Sequence, residues 1–129
     1  MTEEFKSELK EAGVDLEDAV TRFVGREEIY EQFLYRFTDD KNLMQLEEYL
    51  AMDDINSAFK KAHTLKGLTG NYGFKKMYEA AVPVVEILRK GSADGIEEPL
   101  AKLKEINYLL CGIINKYKKT YHKDNILRF

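Results

Sequence analysis

Cysteine occurs once, proline twice and glycine eight times in the 129 residues. The lone Cys111 excludes an internal disulfide, and its neighbours in LLCGII mark it as a small buried hydrophobe. So little proline and glycine, beside 44% hydrophobic and 33% charged residues, excludes a disordered chain and fits a soluble, helical, globular one. No apolar run approaches the roughly 20 residues that cross a bilayer, and MTEEFKSELK is too acidic and polar for a secretory signal. A cytoplasmic protein is expected. No stretch alternates with period two, so no strand is expected. Also missing are a glycine-rich phosphate cradle of the Walker or kinase type, an HExxH pair and a Cys/His cluster. The chain shows no means of its own to bind ATP or a metal, and neither a cofactor nor kinase activity is expected.

What is present reads as one domain over residues 1–129, large enough for a hydrophobic core but small for an enzyme with separate cofactor and substrate domains. Charge is divided unevenly: residues 1–55 carry 16 acidic and 6 basic side chains, residues 56–129 carry 7 acidic and 14 basic. The basic part could steer an anionic partner, although a solvated helical surface has the same look. Breaks fall at Ala12-Gly13, Val24-Gly25, Asp53-Asp54, 71–73 and 91–95. Between them apolar residues recur every three or four positions. One stripe runs from Phe74 through Met77, Tyr78, Ala81, Val84, Val85 and Leu88, another from Leu100 through Leu103, Ile106, Leu110, Ile113, Ile114 and Tyr117. Glu3–Ala12 and Leu16–Val24 read as short helices, the second capped by Asp15. Arg26–Met52 is one long helix or two with a break at 39–42. Pro83 should kink its helix, whereas Pro99 falls near a helix start. The expected fold is all-α, an antiparallel up-down four-helix bundle over 26–119 with short N-terminal helices within 1–25 and a C-terminal tail over 120–129.

The stretch AFKKAHTLKGLTGNYGF, residues 58–74, holds one of only two histidines. On a helical wheel Ile55, Ala58, Phe59, Ala62, Leu65 and Thr69 share the core arc, and His63 lies outside it with Asn56, Lys60, Gly67 and Gly70. His63 therefore points away from the core. Gly67 and Gly70 leave a bare strip in front of it, even though each glycine weakens a helix interior by about 1 kcal/mol relative to alanine. Lys66, at i+3, can lay its stem on apolar surface and extend its ammonium towards the imidazole. A nucleophilic nitrogen, a nearby cation and a cleared approach suit a phosphoryl group, held on the imidazole as a phosphoramidate and exchanged with another protein.

The stretch AHTLKGLTGNYGF resembles the signature of histidine-containing phosphotransfer (HPt) domains of two-component phosphorelays. His63, Lys66, Gly67 and Gly73 fill its places, and GREEIYEQFLYRF resembles the opening of the family's long helix. The resemblance implies a helical bundle with His63 as phosphoacceptor on an exposed face. It implies response-regulator receiver domains and a sensor histidine kinase as partners, with Mg²⁺ on the receiver alone. Receivers of the family dock partly on apolar surface near the histidine, for which Tyr72 and Phe74 are candidates, although a core position is the one expected of each. Several members orient the imidazole with a Gln or Glu from the next helix; here that position aligns with Val85, which the stripe turns inward, and Glu86 is the nearest polar alternative. His122, in YKKTYHKDNILRF, lacks this context and reads as a surface residue of a fraying end. No nucleic-acid or membrane partner is expected, and the chain is expected to be a monomer. Two other readings stay open: a receiver-docking module without chemistry, and a fragment of a larger sensor kinase.

Overall fold

A computed structural model describes residues 1–127, with side chains described through Thr120. Seven helices lie among the described residues: α1 Glu3–Glu11, α2 Leu16–Arg22, α3 Glu27–Phe37, α4 Asn42–Ala51, α5 Ile55–Asn71, α6 Lys75–Arg89 and α7 Glu97–Leu127. The described residues contain no strand, only an isolated antiparallel bridge between Val14 and Phe74. No helix among them is long and apolar enough to cross a membrane.

Local chemistry accounts for most of these limits. Thr2, Asp15 and Asp54 each cap a helix by accepting the backbone N–H three residues on, at 3.1 Å. The out-of-phase segment 26–52 is two helices, α3 and α4, because Asp40 closes a turn on Asn42 through both its backbone N–H and its side-chain amide. Helix α6 is continuous from Lys75 to Arg89 with Pro83 inside it, so the expected disruption there does not divide the segment. Pro99 occupies the first turn of α7, where its missing donor has no helical partner to lose. Helix α7 continues to Leu127, beyond the limit of 119 expected for the bundle. His122 therefore stands on helical backbone, and its side chain lies outside the described ones.

Helix α5 packs between α4 and α6, and α6 also packs on α7. Ala58, Ala62, Leu65 and Thr69 face inward from α5; Met77, Ala81, Val84, Val85 and Leu88 do so from α6; Leu103, Leu110 and Ile114 do so from α7. Small residues on α5 allow close approach of its neighbours. Thr69, a buried polar side chain on α5, donates its hydroxyl to the Lys66 carbonyl at 2.7 Å. Cys111 is half-buried, and burial pushes its thiol up to about 11. Helix α1 closes on α7 by stacking Phe5 on Tyr117 with ring centroids 4.4 Å apart, and by Glu8, which accepts from Lys116 and from the Tyr117 hydroxyl.

The turn between α5 and α6 is tied to the turn between α1 and α2. Asp15 N–H donates to the Gly73 carbonyl at 2.8 Å and Lys75 N–H to the Gly13 carbonyl at 3.1 Å. Gly73 has φ +73°, and a Cβ there would lie 2.6 Å from the Asp15 carbonyl oxygen and 2.8 Å from Ala19 Cβ. A side chain at this position is excluded both by conformation and by space. The buried Tyr30 hydroxyl donates to the Tyr72 carbonyl at 2.6 Å in the same turn.

Gly73→Ala should accordingly lower stability by about 2 kcal/mol or more, seen as a lower urea midpoint at an unchanged slope; an unaltered midpoint would mean the two turns separate freely. A second expectation concerns acid. The Asp18 N–H, and then Lys75, hold the Asp15 carboxyl below the usual carboxylate range. A depressed folded value stabilises above the unfolded pKa and is lost as pH falls through the folded one. Asp15→Asn keeps a cap but does not titrate, so its melting temperature should fall less than the wild type's between about pH 5 and pH 2.

Candidate functional site

Helix α5 presents its exposed side through Asn56, Lys60, His63, Thr64 and Gly67, opposite its buried alanines. His63 is exposed and stands mid-helix, on backbone fixed at both ends by the Asp54 cap and the Tyr72–Phe74 turn. A Cβ added at Gly67 would meet nothing within 4 Å, so the surface one turn beyond His63 is open. Gly70 differs: the ring of Tyr78 lies 3.6 Å from where its Cβ would be. The bare strip expected over two turns is thus one turn long, with Tyr78 of α6 covering the second.

Lys66 is half-buried, and its ammonium sits 5.7 Å from the centre of the Tyr78 ring. This is cation–π distance. The cation expected to extend towards the imidazole is therefore parked over an aromatic ring on the neighbouring helix, still on the side of α5 that carries Gly67 and Gly70. A shallow depression of about 580 Å³ beside it is lined by Gly67, Gly70, Asn71, Tyr78, Lys75 and Arg22, among others, and does not include His63. Arg22 of α2 reaches this edge, donating to the Asn71 side-chain oxygen at 3.4 Å while paired with Asp18 at 3.0 Å. An imidazole outside the concavity is accessible to a large partner.

Tyr72 and Phe74 do not form an apolar docking surface. They are 7% and 1% exposed and pack on each other and on Phe37, with ring centroids 5.1–5.4 Å apart. Their core position follows from the turn: Tyr72 and Phe74 flank Gly73 and are drawn inward with it. Val85 is fully buried, as its stripe requires, and offers the imidazole no polar group. Glu86 is exposed and pairs with Arg89 at 3.4 Å. Among the described residues no side chain hydrogen-bonds the imidazole; its ring neighbour is Phe59, one turn earlier on α5, with centroids 5.9 Å apart and planes tilted by 41°.

Three residues at this site escaped the sequence reading. Tyr78 falls by spacing in the apolar stripe, although it is 38% exposed; tyrosine is amphipathic, and periodicity cannot tell its ring from its hydroxyl end. Phe59 falls in the core arc by the wheel, but is half-buried at the arc's edge, and its i,i+4 spacing from His63 is the available signal. Arg89 lies on another helix, 5.1 Å from the centre of the Phe59 ring, and no spacing rule connects them.

Gly67→Ala tests the openness of this surface without reference to function. With nothing to clash against and a better helix former in place, it should stabilise the fold by about 0.5–1 kcal/mol in urea titration. Destabilisation would mean that the surface is occupied.

The sequence profile of the Hpt domain matches residues 1–110 of the chain. No curated protein and no solved structure matches it.

Proposed function

The chain belongs to the Hpt domain family, and from that premise we propose that it is a phosphorelay intermediate that accepts a phosphoryl group on His63 and passes it to a response-regulator receiver domain. The observation that carries the reading is the exposed His63 with open space at Gly67 one turn away. In the forward step an imidazole nitrogen lone pair attacks the phosphorus of a receiver's aspartyl phosphate. The P–N bond forms as the P–O bond to the carboxylate breaks, and the other imidazole N–H proton passes to water. The reverse of this step on a second receiver regenerates the histidine.

Lys66 would leave the Tyr78 ring and offset the charge of the transferring oxygens, while Gly67 admits the receiver's active site. Gly70 lets Tyr78 approach and so sets where Lys66 rests. The chain needs no cofactor of its own in this scheme, and Mg²⁺ would come with the receiver, which supplies the electrostatic work at the aspartate. A sensor histidine kinase would feed the relay; no nucleic acid, membrane or second copy of the chain is required, and the reaction would be cytoplasmic. The short α4–α5 and α5–α6 connections favour antiparallel neighbours, so the bundle would run up and down with α1 and α2 bracing one end.

A second reading, docking without chemistry, is favoured by one observation: the imidazole lacks a polar partner among the described residues. Label transfer from a panel of phosphorylated receivers separates the two. The wild type should become labelled, His63→Gln should not, and Lys66→Ala should be labelled about tenfold more slowly. Receiver binding by an unlabelled wild type would instead establish docking alone.

A further inference from the structure

An exposed imidazole on a helix samples several rotamers on the picosecond-to-nanosecond scale. Attack in line on phosphorus needs the ring in a narrow set of orientations. With Val85 buried and Glu86 turned to Arg89, neither candidate on α6 can supply that restriction by a hydrogen bond. Packing remains. Phe59 sits at i−4, on the same strip of α5, with its ring 5.9 Å from the imidazole. Phe59 is itself restrained: the Arg89 guanidinium, reaching across from α6, lies 5.1 Å from its ring centre, and Glu86 pairs with Arg89 at 3.4 Å. Four side chains thus form a continuous line from α6 to the imidazole.

We propose that Phe59 is the positioning residue of His63, held in place by Arg89, so that this protein orients its imidazole by aromatic packing instead of by a hydrogen-bonding amide or carboxylate. The inference rests on the phosphotransfer reading for its consequence, but its physical content does not. Phe59 touches neither phosphorus nor a receiver group in this role; it narrows the imidazole's rotamers. Arg89 acts one step further out, by limiting where the Phe59 ring can go, and Glu86 limits Arg89 in turn. The buried Val85 then needs no replacement function, because the task has moved from the following helix to the preceding turn of α5 itself.

The test uses the full chain in solution. NMR three-bond couplings to the His63 Cβ protons measure its χ1 averaging, and ring-to-ring NOEs report the Phe59 contact; single-turnover transfer and receiver affinity are measured in parallel. In the wild type one χ1 rotamer should dominate. Phe59→Leu should average the couplings and slow transfer roughly five- to tenfold, with receiver affinity within about twofold. Phe59→Tyr should restore both, and Arg89→Lys should retain more order than Arg89→Gln. Couplings already averaged in the wild type, or unchanged in Phe59→Leu, would overturn the proposal whatever the transfer rate. Slower transfer with weakened receiver binding and unchanged couplings would also overturn it, making Phe59 a docking contact. A wild type whose imidazole is ordered through Phe59 but never takes up phosphate would leave the positioning intact and remove the phosphotransfer reading.

Discussion

The close approach of Gly73 to the Asp15 carbonyl is the constraint on which the rest depends. At φ +73°, with 2.6 Å between the place of a Cβ and that oxygen, the chain reverses from α5 into α6 hard against the α1–α2 turn. Two backbone hydrogen bonds, which together form the Val14–Phe74 bridge, join the turns. The Tyr30 hydroxyl, kept protonated by burial well above the usual phenol range, satisfies the Tyr72 carbonyl from α3. Three separate parts of the chain therefore meet where α5 ends. A buried carbonyl without such a partner would be unfavourable by about 1–3 kcal/mol.

From that anchor the working surface follows. Fixing the α5–α6 reversal sets the register of the two helices, and register decides which side chains of α6 stand beside His63, Lys66 and Gly67. Tyr78 comes to lie over Gly70 and under Lys66; about three turns along, Arg89, paired with Glu86, comes to lie over the Phe59 ring. The apolar stripes hold the helices together from within, while the exposed side of α5 carries His63 and Gly67. The two glycines of the helix have different tasks: one leaves space empty, and the other is filled by a neighbour's ring.

Much of this was legible in the residues. The three- and four-residue spacing identified helices and their inward faces, because a buried stripe must repeat with the helical turn. Asp15 and Pro99 declared themselves as helix starts because their chemistry is local. His63 was placed off the core by geometry alone. Whether 26–52 was one helix or two depended on a turn built by Asp40, and the stripe on either side was only slightly out of phase. The fate of Tyr72 and Phe74 hung on the direction of the turn between them, which becomes definite only once Gly73 meets Asp15. Contacts between helices were the hardest to foresee: Lys66 with Tyr78, and Arg89 with Phe59, are set by register, and nothing within either helix encodes the pairing.

The central claim, that the exposed His63 is the phosphoryl carrier, is tested most directly by phosphorus and nitrogen NMR of the chain treated with phosphoramidate, a small-molecule donor that bypasses every protein partner. The account predicts one new protein-bound phosphorus resonance, stable in alkali and lost in acid, coupled to an imidazole nitrogen of His63 and accompanied by shifts at Gly67 and Lys66. No such resonance, or one that assigns to His122, would contradict it.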